Sequence, residues 1–85
     1  MNKADKEAMR ANIRAAMRKI TAQFPDKPES KLVVGIINQA ALDTLERNLK
    51  DGAEKYLRNS FHAEMCGVNP IWVRETFVKM GILGE

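Results

Sequence analysis

The stretch that decides the fold covers residues 63–74 and reads AEMCGVNPIWVR. In a helix-turn-helix unit, a small residue on the first helix lets the second helix approach closely, and a turn glycine takes backbone angles that other residues avoid. An aliphatic residue on the second helix holds the pair together. Ala63, Gly67 and Val73 stand at the spacings that this arrangement requires. They predict a helix-turn-helix-like unit in residues 53–81. No segment shows the sustained alternation of apolar and polar residues that a strand requires, so we expect an all-α fold, a small bundle of four to five helices.

The second helix of this unit is predicted to begin at Asn69 and Pro70, because asparagine is a favoured N-cap and proline suits the first helical position. Val68 is expected to be the buried residue of the turn. The helix should end at Gly81, where a left-handed residue followed by Ile82 fits a Schellman-type stop. As a recognition helix, it would have these more accessible members: Pro70, Ile71, Trp72, Arg74, Glu75 and Lys79.

Residues 1–24 are predicted to contain a basic amphipathic helix, from about Ala4 to Gln23. Pro25 ends this helix, because the residue before a proline is pushed out of helical conformations. Its apolar side chains recur every three or four residues and therefore share one face. They are Met9, Ile13, Met17, Ile20 and Phe24.

The same helix carries a basic stripe, whose members recur every fourth residue and so lie on one line beside the apolar face. They are Lys6, Arg10, Arg14 and Arg18, and Lys19 adjoins the last of them. The whole chain has a net charge of +3, but residues 1–24 hold six basic and two acidic side chains (+4), and residues 25–85 hold eight and nine (−1). Two interpretations remain open: the stripe contacts phosphates, beside the major groove or along a nucleic-acid backbone, or it is the solvated flank of an amphipathic helix.

Between these regions we predict a central helix over residues 28–50, following the loop of residues 24–30. Pro28 suits its first turn. Apolar residues between Leu32 and Leu49 predict a wide buried surface. Gly35 is expected to mark a close crossing with another helix, because a helical glycine costs about 1 kcal/mol relative to alanine.

After the central helix, residues 50–52 (Lys-Asp-Gly) predict a helix stop followed by a restart. A short helix is expected from Ala53 to Arg58. Asn59 and Ser60 would cap a further short helix that runs through Cys66. All these elements are expected to form one domain, residues 1–85.

The composition excludes several classes of protein. A single cysteine rules out an intramolecular disulfide, and with one histidine it cannot make a four-ligand zinc site unaided. The longest apolar stretch covers six residues, far short of a membrane span, and the N-terminus lacks the apolar segment of a secretory signal. We expect a soluble, cytoplasmic protein that is not an enzyme and uses no cofactor or metal.

One pair of side chains has conceivable chemistry. His62 and Cys66 lie four residues apart on one predicted helix face, as a base and a nucleophile would. No third group that could orient the histidine lies nearby in sequence. Small thiols beside a turn glycine usually fill the core, and we favour that interpretation for Cys66.

Three short elements follow one another within residues 32–83. They are Ala41-Leu42-Asp43, Ala53-Glu54-Lys55-Tyr56-Leu57 and Gly67-Val68-Asn69-Pro70-Ile71-Trp72-Val73-Arg74. The last is a glycine–aliphatic–Asp/Asn–Pro–x–aromatic–Val–Arg signature and is the most specific. Together they resemble a group of small phage and prophage proteins. This resemblance implies a phage-borne regulatory or host-interaction protein, located in the host cytoplasm, and no defined chemistry.

Two hypotheses about function follow. In the first, the chain is a phage-type regulatory protein that binds double-stranded DNA through the helix-turn-helix and the basic N-terminal helix. In the second, it is a phage-encoded protein–protein interaction module that inhibits a host or defence complex, or a self-assembling subunit, with Trp72 as an anchor. A homodimer suits both, because a small chain gains from burying a shared face. The residues assigned to nucleic-acid binding are Lys6, Arg10, Arg14, Arg18, Lys19, Ile71, Trp72, Arg74 and Lys79.

Overall fold

A computed structural model describes residues 2–59 and 61–84, with Phe61 described by its backbone alone. Within these ranges the chain is all-helical, as predicted, and contains no strand. Four helices have nine or more residues and one has five. They are α1 (Lys3–Ala22), α2 (Pro28–Asp43), α3 (Lys50–Arg58), α4 (Phe61–Met65) and α5 (Pro70–Lys79). No helix in the described part of the chain is long and apolar enough to cross a membrane.

Helix α1 has the predicted extent and the predicted buried face. Asn2 is its N-cap, and the Asn2 side-chain oxygen accepts a hydrogen bond from the backbone N–H of Asp5 at 2.9 Å. Ile13 and Ile20 are fully buried, whereas Met9 and Phe24 are half-buried and pack against the edge of the core. The apolar spacing therefore identified the side of α1 that faces the core.

Helix α2 is shorter than predicted, because it ends at Asp43 and not near residue 50. The Thr44 hydroxyl donates to the Ala41 carbonyl oxygen at 2.6 Å, and residues 44–49 form turns closed by hydrogen bonds between residues three apart. These turns reverse the chain, so that α3 packs against α2. Packing outweighs the helical propensity of residues 44–49, and the boundary prediction was wrong for this reason.

The predicted helix stop at residues 50–52 was also wrong. These residues form the first turn of α3, which begins at Lys50 and buries Ala53 and Leu57 against the neighbouring helices. Asn59 and Ser60 were predicted to cap the next helix. Asn59 is instead the C-cap of α3, and Ser60 lies outside the described residues. The expected close crossing at Gly35 is absent too: Gly35 is exposed, and a Cβ atom added there meets nothing within 4 Å.

The turn between α4 and α5 is built on Gly67, which has a φ of +81°. The backbone N–H of Val68 donates to the Ala63 carbonyl oxygen at 2.9 Å, which closes a Schellman-type ending of α4. Ala63 and Val73 are fully buried, and Val68 is 5% exposed, so all three have the burial that the sequence predicted.

Both ends of α5 match their prediction. The Asn69 side-chain oxygen accepts a hydrogen bond from the Ile71 backbone N–H at 2.9 Å, and Pro70 occupies the first turn. At the other end Gly81 has a φ of +76°. The Ile82 N–H donates to the Phe77 carbonyl oxygen at 2.9 Å, as in a Schellman motif.

One hydrophobic core joins all five helices. Each helix contributes to it, as shown by the burial of Ile13, Ile37, Leu57, Ala63 and Phe77. Helix α1 packs on α2, α2 on α3, and α5 against α1, α3 and α4. The resulting particle measures 37 × 21 × 20 Å.

Candidate nucleic-acid interface

The basic stripe of α1 lies at the surface beside the buried face of the helix. Arg10, Arg14 and Arg18 are exposed, and Lys6 is half-buried. Each step of four residues advances about 6 Å along the helix, so the stripe extends about 18 Å from Lys6 to Arg18. Its spacing presents a line of cations to one side of the molecule.

Two of the three arginines in the stripe have no acidic neighbour on their own helix. Side chains three or four positions apart are neighbours on a helix surface. At these distances Arg14 and Arg18 meet only Ala, Met, Thr and basic residues, whereas Arg10 has Glu7 three positions before it. Arg14 and Arg18 are therefore the members of the stripe best placed to bind an external anion.

A groove between α1 and α2 brings polar groups next to these arginines. It is lined by Arg14 and Arg18 together with Thr21 of α1 and Asn38 of α2, and Met17 and Ala22 complete it. Guanidinium groups form paired hydrogen bonds to phosphate oxygens, and amide and hydroxyl groups contact phosphate as well. The groove thus holds the side chains that a phosphate backbone requires.

Further cations join the stripe at its N-terminal end. Lys6 shares a second groove with Arg47 and Lys50, and Glu46 is the one acidic residue that lines it. Arg47 and Lys50 reach this position because α2 ends at Asp43 and the chain turns back beside α1. Neither residue is predicted from the sequence to join the stripe, since no linear pattern connects them with the N-terminal helix.

A third groove adds Lys31 at the opposite end. It shares Thr21 with the groove of Arg14 and Arg18, and Asp26 is its acidic residue. We call the three grooves and the stripe the basic seam. It has seven basic and two acidic side chains, hence a net charge of +5. They are Lys6, Arg10, Arg14, Arg18, Lys31, Arg47 and Lys50, with Asp26 and Glu46.

The remaining residues assigned to nucleic-acid binding lie elsewhere. Lys19 is exposed but lines none of the three grooves. On α5, Ile71 is 52% exposed and Lys79 is exposed, while Arg74 is half-buried. Trp72 is half-buried and packs against the core, which leaves part of its ring accessible. The three grooves contain no residue of α5, so the seam and α5 are separate surfaces.

His62 and Cys66 have different surroundings. The His62 Nδ1 atom lies 3.2 Å from the Tyr56 hydroxyl oxygen, and the two rings meet edge to face with centroids 5.8 Å apart. Burial raises the pKa of Tyr56 above its ordinary value. Cys66 is half-buried and packs against the core. Among the described residues, no three His, Cys, Asp or Glu side chains are grouped as a metal site would require.

No protein family model matches the chain, and neither a curated protein nor a solved structure matches it. The candidate interface is accordingly defined by its own geometry and charge. Of the surfaces described, the basic seam concentrates the most charge of one sign.

Proposed function

We propose that this chain is a nucleic-acid-binding regulatory protein that contacts the phosphate backbone of double-stranded DNA through the basic seam. The observation that carries the proposal is the gathering of seven basic side chains against two acidic ones along one side of α1. Binding that neutralises phosphates releases condensed counterions, and this is the main source of affinity for a surface of this kind.

The length of α1, along which the seam runs, is comparable to one turn of a duplex. Helix α1 has 20 residues and is therefore about 30 Å long, close to the roughly 34 Å of one duplex turn. Arg14 and Arg18, with Asn38 between the helices, would hold successive phosphates near the centre. Arg47 and Lys50 would contact the backbone at one end.

The second part of the proposal concerns α4 and α5, which we propose to act as a helix-turn-helix that reads base edges. The buried Ala63 and Val73 and the left-handed Gly67 support this role. Ile71 and Arg74 would be the residues nearest the bases. A regulatory role in a host cytoplasm is what the resemblance of residues 32–83 to small phage proteins implies, and we include it in the proposal.

Fluorescence anisotropy with a labelled DNA duplex tests the seam. Replacing Arg14 and Arg18 by Gln should weaken binding by at least about tenfold at low salt, on every sequence alike. It should also reduce the slope of log K against log salt concentration by about 1.8, because each lost phosphate contact contributes about 0.9.

The matched control removes the same charge elsewhere. Lys55→Gln with Arg58→Gln takes two exposed cations from α3, outside the three grooves and away from α5. The control should leave both the affinity and the slope within twofold of the original protein. Equal losses in the two double variants, or no binding by the original protein at low salt, would refute the proposal.

A second candidate function is protein–protein interaction, as an inhibitor of a host or defence complex. The observation that favours it is the apolar surface around α4 and α5, where Met65 is 76% and Ile71 is 52% exposed. A pull-down from host lysate with and without nuclease separates the two functions. A partner retained after nuclease treatment and lost in Ile71→Glu and Trp72→Ala would support this candidate.

A further inference from the structure

One side of α2 is apolar and yet exposed. Residues 32–42 contain no charged side chain and only two polar ones, Asn38 and Gln39, and a helix that is apolar on most sides is normally covered there. The core covers only part of it: Leu32 is 70% and Ile36 is 46% exposed, and Gly35 and Gln39 lie open beside them. This side of α2 therefore has the composition of a contact surface.

A groove adjoins this side of α2. Ile36 and Ala40 form part of one wall, and Leu49, Gly52 and Tyr56 form part of the other. Leu49 is 51% exposed, and a Cβ atom added at Gly52 meets nothing within 4 Å. We call the ridge of Leu32 and Ile36 and this groove the hairpin face, since it is the outer side of the α2–α3 hairpin.

The hairpin face is nearly neutral. Asp43 is the one charged residue that lines its groove, and the Asp43 carboxylate accepts a hydrogen bond from the Gln39 side-chain amide at 2.9 Å. Glu29 and Lys31, of opposite charge, flank the ridge at the start of α2. The hairpin face therefore has no concentration of cations that would attract a phosphate backbone. It also has no excess charge that would complement a strongly charged protein.

The chain exposes more surface than a compact monomer of its mass. The chain exposes 5661 Å² for a mass of 9.6 kDa. A folded monomer of this mass exposes about 5,100 Å², so the surplus is about 600 Å². A standard interface covers about 800 Å² on each partner. The surplus is of the same order as one partner's share of a standard interface.

We infer that the hairpin face binds a second copy of this chain across a two-fold axis. In a two-fold interface the same surface of each copy contacts the other copy. That surface must therefore contain both a projection and a matching depression, and it must not carry an excess of one charge. The hairpin face has all three. The ridge of Leu32 and Ile36 from one copy would enter the groove of the other, where Gly52 lacks a side chain and permits close approach.

Sedimentation equilibrium on the full chain without nucleic acid tests this inference. The original protein should be a dimer at micromolar concentrations. Leu32→Glu and Ile36→Glu, each separately, should raise the dimer dissociation constant at least about 100-fold, because each places a charge in an apolar contact. Met65→Glu is the matched control, since Met65 is 76% exposed and lies on α4, outside the hairpin face. The Met65→Glu variant should remain dimeric.

Circular dichroism at 222 nm checks that the variants fold. Leu32 is more exposed than Ile36, so Leu32→Glu keeps the test valid even where Ile36→Glu unfolds. A monomeric original protein at 1 mM, whether or not another protein covers the face, would overturn the inference. So would a folded Leu32→Glu with an unchanged dissociation constant. Because nucleic acid is absent, failure here leaves the basic seam untouched, and failure of DNA binding leaves this result intact.

Discussion

The two flanks of α2 differ in charge and in polarity. On the flank towards α1, α2 borders the basic seam, where arginines from α1 stand beside Asn38. On the flank towards α3 it borders the hairpin face, where Leu32 and Ile36 are exposed and a single carboxylate lines the groove. The uncharged segment of residues 32–42 separates them.

The two surfaces also differ in which parts of the chain supply their side chains. α2 supplies one cation, Lys31, to the seam, and the other six come from α1 and from residues 47 and 50. The hairpin face, by contrast, takes its apolar ridge from α2 itself. One surface is therefore assembled by the packing of neighbours, whereas the other belongs to a single helix and the hairpin it forms.

Salt should separate the two surfaces most strongly. Between 50 and 200 mM salt, DNA affinity should fall about 500-fold if five cations of the seam each neutralise a phosphate. Self-association through the hairpin face should change less than about threefold, because apolar burial is not screened. Anisotropy and sedimentation equilibrium at the same salt concentrations measure both. Similar salt dependence of the two constants would remove the distinction.

A core substitution should damage both surfaces together. Ile37 is fully buried on the third side of α2, and Ile37→Ala should lower the free energy of unfolding by about 2–5 kcal/mol. Urea denaturation followed by circular dichroism measures this loss. DNA binding and self-association should then fail at the same urea concentration. If DNA binding and self-association failed at clearly different urea concentrations, the two surfaces would not depend on one core.

The cations Arg47 and Lys50 should matter for the seam alone. Replacing Arg47 and Lys50 by Gln should weaken DNA binding about tenfold and lower the salt slope by about 1.8. Lys55→Gln with Arg58→Gln removes the same charge from α3, outside the seam grooves, and is the matched control. If only the control variant lost affinity for DNA, the DNA-binding surface would lie on α3 and not at Arg47 and Lys50.

The smallest effect is expected at the start of α2. The Ser30 hydroxyl is buried and has no hydrogen-bond partner in the described part of the chain, and such a group costs about 1–3 kcal/mol. Ser30→Ala should therefore raise the free energy of unfolding by about 1 kcal/mol. Ser30 lines the third groove of the seam, but its hydroxyl is uncharged and buried, so DNA binding and self-association should not change. Thermal unfolding measures the gain. A lower melting temperature would mean that the hydroxyl does stabilise the fold.

Local signals allowed much of the fold to be predicted from the sequence. Pro25 limits α1, Asn69 and Pro70 begin α5, and Gly81 ends it, because caps and backbone restrictions act within a few residues. The end of α2 could not be predicted in this way. It depends on the packing of α3, which is set by distant residues.

The two surfaces were predictable to different degrees. The stripe of Arg10, Arg14 and Arg18 follows from helical spacing alone. Arg47 and Lys50 join it only through the tertiary fold. Leu32 and Leu49 were expected in the core and are exposed, because a segment that is apolar on most sides does not indicate which of its sides the core covers.

The two left-handed glycines, Gly67 and Gly81, have a consequence for how this sequence can change over generations. Each ends a helix and turns an aliphatic residue, Val68 or Ile82, into the core. Side chains with a Cβ atom are strained at this backbone conformation. These two positions should therefore stay glycine, or at most become asparagine, in descendants whose surface residues have drifted beyond recognition. Their spacing of fourteen residues would then be the trait by which distant relatives are found.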